Sequence, residues 1–203
     1  FLDELPEFSR SVLEVLRQPL EDRKVTISRA LGSYTFPTNI VCIAAMNPCP
    51  CGYLGHPDKP CKDSGLQIER YRSKISGPLW DRLDMHIDVP PLRYSEMAKQ
   101  VAGETSHTIR HRVVEARNRQ HQRFARIKTN GQMSSAEIKK FCFVDQKGWA
   151  ILQMAIDHMG LSARACDRIL RVARTIADLA NEDAIHESHL LEALNLKNST
   201  DRI

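Results

Sequence analysis

Apolar and polar residues along the chain follow two different periods, and the change between them divides the chain. Phe1-Leu2 is a short apolar strand that ends in Asp3-Glu4. Apolar residues at 8, 12, 13, 15 and 16 have helical spacing, and Pro19 is placed to close that helix. Lys24-Val25-Thr26-Ile27-Ser28 and Ser33-Tyr34-Thr35-Phe36 alternate with period two around Arg29-Ala30-Leu31-Gly32, which predicts a β-hairpin with Arg29 near its tip. The unbroken apolar run from Asn39 to Asn47 predicts a strand buried on both faces of a parallel sheet, with Asn47 emerging at its C-terminal edge. Residues 48–66 form a loop rich in Pro, Gly and Cys. Gln67 to Asp81 reads as helical with a break at Gly77-Pro78, and Met85 to Val89 as a short strand stopped by Pro90-Pro91.

Beyond this point the period is helical. A long helix is predicted from about Ser106 to Ile127, with Ile109, Val113, Ala116 and Ile127 on one stripe and Asn130-Gly131 ending it. Ser134-Ser135-Ala136-Glu137 has capping-box spacing, Gly160 reads as a stop, and Ser162 as the N-cap of a helix running to about Ala180. A last helix spans roughly His186 to Leu194. The pattern predicts part of an α/β domain over residues 1–100, a basic linking helix over 101–131, and an all-helical domain over 132–203.

Composition narrows the setting. With 203 residues and 42% hydrophobic content the chain can bury a core, and no apolar run approaches the roughly 20 residues that cross a bilayer. A cytoplasmic setting without a membrane partner is expected. A net charge of +4 permits a nucleic-acid partner without requiring one. Six cysteines at uneven spacing fit reduced thiols or a metal site better than a disulfide framework. Three of them, Cys49, Cys51 and Cys61, are bunched in the loop, and His56 or Asp63 could complete a four-ligand zinc site; the alternative is a Pro-rigid loop of free thiols. Between His107 and Lys128 stand seven Lys or Arg residues and one acid, Glu115. Arg112, Arg119, Arg123 and Arg126 fall on one side of that helix, a row that could track phosphates or simply be a solvated face.

An apolar strand ending in Asp-Glu has the shape of a Walker B element, although such pairs are also common on surface turns. No G-x-x-x-x-G-K-[ST] occurs in these residues, so the phosphate cradle is expected upstream in a larger ATPase, and these residues alone are expected to bind ATP weakly and hydrolyse none.

The order of Walker B, hairpin, Asn-ended strand, Arg-bearing loop and helical lid resembles the AAA+ P-loop ATPases. The segments FLDELPEF, VTISRALGSYTFP, AAMNPCPCGYLG, IERYRSKISGPLWDRLDMHIDVP and LSARACDRILRVARTIADL resemble the bacterial magnesium-chelatase-like ComM/YifB proteins from Phe1 to about Leu194. The resemblance implies the C-terminal half of an AAA+ core followed by its lid, with ATP and Mg²⁺ as cofactors. It assigns Asp3 to the Mg²⁺, Glu4 to the lytic water, Asn47 to sensor 1, Arg82 to the arginine finger and Arg164 to sensor 2, while Arg70, Arg72 and Arg168 are close enough in sequence to compete for the last two roles. Similar proteins commonly carry a second Cys-x-Cys pair where this chain has Cys61-Lys62-Asp63, which puts a tight zinc site in question. The hairpin would project into the pore of a homo-oligomeric ring, a hexamer, where Arg29 could grip a phosphate backbone. DNA remodelling by a helicase or branch-migration factor is the implied activity. The alternatives are a chelatase-like ATPase acting on a protein or on metal insertion into a tetrapyrrole, and a lid and oligomerisation module without enzymatic activity.

Overall fold

The computed structural model describes residues 1–91 and 103–198, which divide into two compact units, one of Phe1–Leu83 and a second beginning at Asp84. The boundary expected between residues 100 and 101 lies outside the described residues.

In the first unit Leu2 pairs with Ala44 in a parallel bridge: Leu2 N–H donates to Ile43 O and Ala45 N–H donates to Leu2 O, both at 2.8 Å. Among the described residues this bridge is all that represents the expected parallel sheet, because the run from Asn39 pairs as a strand only at Leu2 and a ladder needs a partner along its length. Ile40, Val41 and Ile43 accordingly stay exposed. After the bridge a short 3-10 helix, Leu5–Glu7, leads to α1 (Arg10–Val15) and α2 (Arg17–Asp22). Pro19 does not close the helix as expected. It stands in the first turn of α2, where its missing N–H costs nothing, and the helix breaks instead at Leu16, ahead of it. The chain then reverses at Arg23, φ 53°, into β1 (Lys24–Arg29) and β2 (Gly32–Pro37). Their antiparallel register runs from Lys24 opposite Pro37 to Arg29 opposite Gly32, which leaves Ala30-Leu31 as the tip.

Helix α3 (Gly65–Arg72) starts two residues earlier than its apolar pattern suggests, because Ser64 and Gln67 form a reciprocal capping box. The helix breaks after Arg72, ahead of Gly77-Pro78, and those two residues open the next turn, α4 (Gly77–Trp80), capped by Ser76. Leu5, Leu13, Ile75 and Leu79 form the core of this unit, with Leu2, Leu16, Leu20, Ala44, Met46 and Trp80 packed around them.

The second unit is helical: α5 (Ser106–Phe124), α6 (Ser135–Phe141), α7 (Gln146–Met159), α8 (Ala163–Leu179) and α9 (Glu187–Asn198). The strand expected over Met85 to Val89 does not form, since this segment has no ladder partner among the described residues. His86 is tied instead to α9, its N–H donating to Leu196 O at 2.6 Å. Ala165, Ile169, Ala173 and Ala177 are buried on α8, and Ile169 and Ala173 pack with Met133, Ile138, Leu152, Leu190 and Leu194 around one core. Gly148 lets α7 approach α9, for a Cβ there would run into Val144 and Leu190.

Helix α5 differs from expectation in its face and its end. Ile109 and Val113 remain exposed, and the line turned toward α8 is Ala116, Gln120 and Arg123, at i, i+4 and i+7. Ala125, φ 50°, ends the helix, and Asn130–Gln132 forms a separate 3-10 turn. Asp178 is 2% exposed and accepts hydrogen bonds from Arg123, from Arg174 Nε at 3.2 Å and from Asn130 Nδ2 at 2.7 Å. Arg174 is as deeply buried, and its other two nitrogens cap the carbonyls of Asp183 and Glu182 at 2.6 Å.

Removing Asp178 would strand two guanidinium groups out of water. Asp178→Ala should therefore destabilise the helical unit by about 3–5 kcal/mol in urea unfolding followed by far-UV circular dichroism. A loss under 1 kcal/mol would mean that water replaces the carboxylate. Glu137 supplies a pH-dependent contribution: the Lys128 ammonium and the Ser134 backbone hold its carboxyl at about 2, against an ordinary 4.5. The native carboxyl thus releases its proton more readily than the unfolded one, so the stabilisation is complete above pH 4.5 and is lost as pH falls toward about 2. Glu137→Gln, which keeps the capping box, should lower stability at pH 7 and flatten the acid limb. An acid limb unchanged from wild type would remove Glu137 from that role.

Candidate functional site

The opening strand stops at Asp3, and the backbone reverses at Glu4, which adopts the left-handed conformation with φ 50° and ψ 47°. For a residue with a side chain this conformation costs roughly 1–2 kcal/mol, so it persists only where neighbours impose it. They do so here. Leu5 is buried in the core, and its N–H donates to Ala45 O at 2.9 Å, directly after the turn. Asp3 Oδ1 accepts the Glu4 N–H at 3.0 Å, and both acidic residues are exposed. The partner strand runs in the same direction, so its polar end, Asn47, follows Ala45 by two residues and leaves the same edge as the carboxylates. Asn47 is exposed, while its backbone amide bonds the hydroxyl of buried Tyr71, whose pKa burial raises. This edge offers two carboxylates, suited to a hard divalent cation or to a water, and an amide suited to a phosphate oxygen.

Two residues past Asn47, Cys49 is fully buried. Its Sγ lies 3.5 Å from Cys51 Sγ and 3.6 Å from Cys61 Sγ, and the third separation, Cys51 to Cys61, is 3.5 Å. Asp63 Oδ2 accepts the Cys51 N–H at 2.8 Å and lies 3.7 Å from Cys61 Sγ, so that four ligand atoms fall within 4.8 Å of one another. Hydrogen bonds from Cys51, first its thiol and then its amide, hold the Asp63 carboxyl below its ordinary range. Of the two expected fourth members, Asp63 joins the thiols. His56 does not, because its Nδ1 accepts the N–H groups of Asp58 and Lys59 at 3.0 and 3.1 Å and closes a turn of its own.

The arginines differ in availability. Arg82 is held within its own unit, with Nη1 donating to Pro78 O at 2.7 Å and Nε lying 3.2 Å from Glu21 Oε2. Arg72 donates from Nη2 to Pro48 O at 3.1 Å and ties α3 to the start of the cysteine loop. Arg164 is exposed on the first turn of α8, after the Ser162 cap, whereas Arg168 pairs with Asp84 at 3.6 Å. Arg29 is exposed at the end of β1. The row along α5 and its exit is engaged within the second unit. Arg112 forks onto Glu104, Arg119 bonds Asn181 and Asp183, Arg123 bonds Asp178, and Arg126 lies 3.5 Å from Glu137.

Sequence reasoning did not single out Tyr71 or Arg72 as supports of the loop, nor the strained backbone at Glu4. Only the turn-forming Pro6 after Glu4 signals the last of these.

Comparison with known proteins covers both units. Residues 1–97 match the family model described as magnesium chelatase, subunit ChlI, and residues 103–197 match the model of the ChlI C-terminal region. The competence protein ComM of Haemophilus influenzae is 44% identical over 199 residues, 97% of this chain and 38% of that protein. YifB of Escherichia coli is 39% identical over 198 residues, with the same coverage of 97% and 38%, and YifB of Salmonella typhimurium is 39% identical over 200 residues, again with 97% and 38%. The chain thus spans under two fifths of the length of these relatives.

Proposed function

The chain belongs to the magnesium-chelatase-like family of ComM and YifB, and from that premise we propose that it carries the hydrolytic edge and the lid of an AAA+ ATPase that works on DNA. The parallel pairing of Leu2 with Ala44 supports this reading most, because it brings Asp3, Glu4 and Asn47 to one edge. In this reading Asp3 holds the Mg²⁺ of the bound nucleotide, Glu4 polarises the attacking water, and Asn47 orients that water or bonds the γ-phosphate. Arg82 acts as the finger on a neighbouring subunit's nucleotide and Arg164 as sensor 2, in a homo-oligomeric ring of six. To reach a neighbour Arg82, whose side chain is 15% exposed, must exchange Glu21 and the Pro78 carbonyl for phosphate.

The hairpin is the proposed contact to DNA. Its alternation places Val25, Ile27 and Arg29 on the same face as Phe36 and Tyr34, with Thr26, Thr35, Ser28 and Ser33 hydrogen-bonded across the other. Tyr34 and Phe36 are exposed, and Leu31 at the tip is 96% exposed. Aromatic rings beside an arginine suit unpaired bases and their phosphates. ComM, named as a competence protein, is consistent with such a substrate.

Two measurements on the full-length protein test this reading. Glu4→Gln should leave ATP binding intact and lower turnover by at least about 100-fold, and Arg82→Ala by about 1,000-fold, whereas Glu21→Gln, which merely releases Arg82, should preserve turnover. Wild-type turnover in Glu4→Gln would overturn the hydrolytic assignment. For DNA, fluorescence anisotropy with a single-stranded oligonucleotide should show Tyr34→Ala binding about 5- to 150-fold more weakly and Arg29→Ala reducing the salt slope by about 0.7. If both variants bind like wild type, the hairpin does not hold DNA, and a protein partner of the chelatase type becomes the better reading.

A further inference from the structure

We infer that Cys49, Cys51, Cys61 and Asp63 form a closed tetrahedral site for zinc, and that the bound ion fixes the loop that follows Asn47. The three sulfurs make a nearly equilateral triangle of 3.5, 3.6 and 3.5 Å. Zinc with Zn–S bonds of about 2.3 Å sets tetrahedral S···S edges at about 3.8 Å, and a carboxylate oxygen at about 2.0 Å sets the S···O edge at about 3.5 Å. The Asp63 oxygen stands 3.7 Å from Cys61 Sγ, so small adjustments suffice. A disulfide accounts for the triangle less well, since it would draw two sulfurs to about 2.05 Å and leave the third apart. Hydrogen bonding accounts for it no better, because thiols are weak donors and weak acceptors, and Cys49 is removed from water altogether.

The surroundings suit the charge that loading would create. A divalent ion with three thiolates and one carboxylate is doubly negative, each thiol having released its proton to solvent. The Arg72 guanidinium on Pro48 O supplies compensating positive charge at the start of the loop. All four positions come from the protein, which is the pattern of a structural ion and not of one with an open catalytic position. The clip would join Cys49, two residues after Asn47, to Asp63, the residue before the Ser64 cap of α3.

The test uses the whole chain purified from zinc-containing medium, gel-filtered and analysed by elemental mass spectrometry. About one zinc ion per chain is expected, with Cys49→Ser and Cys61→Ser losing it and Cys42→Ser and Cys166→Ser keeping it. Cobalt exchanged into the site should give thiolate charge-transfer bands in the near ultraviolet and the intense visible bands of a tetrahedral ion. Asp63→Cys completes a four-thiolate set. It should retain zinc at least as well as wild type against a chelator and move the cobalt spectrum further toward thiolate character, a gain that misfolding cannot produce. Circular dichroism of the helical unit checks that the serine variants remain folded. The site is overturned if the wild-type chain retains no zinc and gives no cobalt charge-transfer band, or if its zinc content survives both Cys49→Ser and Cys61→Ser in folded protein.

Discussion

Three backbone hydrogen bonds between the first five residues and Ile43 to Ala45 decide what the first unit can do. They run from Leu2 N–H to Ile43 O, from Ala45 N–H to Leu2 O and from Leu5 N–H to Ala45 O. A parallel pairing delivers both chain directions to one edge, so the carboxylates of one strand and the amide of the other arrive together. The third bond, with the burial of Leu5, holds Glu4 in a conformation that a residue with a side chain would otherwise leave. Asn47, the Tyr71 hydroxyl and the cysteine loop take their places from the same strand.

The second unit shows why charge is a poor guide to a binding face until its partners are known. Seven cations in about twenty residues of α5 and its exit look like a phosphate track. Folding directs them elsewhere: Arg123 goes inward to Asp178, Arg119 to the turn after α8, and Lys128 with Arg126 to Glu137. The proposed contact to nucleic acid is the hairpin instead, whose one arginine shares a face with two rings and whose polar side is occupied by its own cross-strand hydroxyl bonds.

Many local signals are legible in the sequence. The hairpin register follows from period-two alternation, and the Ser134, Ser162 and Gly160 boundaries follow from capping residues. Two of the misread elements depend on distant partners. Met85 to Val89 alternates like a strand but finds no ladder among the described residues, and Ile109 and Val113 look like a core stripe but yield to Arg123, whose reason for facing inward is Asp178, fifty-five residues away. Pro19 predicts a helix end but sits in the first turn of α2, where proline is at home, while the break expected at Gly77-Pro78 is present and falls just ahead of it, after Arg72. At the site, the bunching of Cys49, Cys51 and Cys61 was plain, but the choice of Asp63 over His56 rested on which of the two had already been taken by a neighbouring turn.

The arrangement around Asp178 also limits how this protein can evolve. Arg123, Asn130, Arg174 and Asp178 come from three separate segments and share one dry site, so any one of them replaced alone leaves the others with charge or hydrogen-bonding capacity unmet. An apolar core of equal volume is a viable endpoint, but single steps toward it pass through less stable intermediates. These four positions should therefore change together or not at all among descendants of this chain, while the exposed face of α5 drifts freely around them.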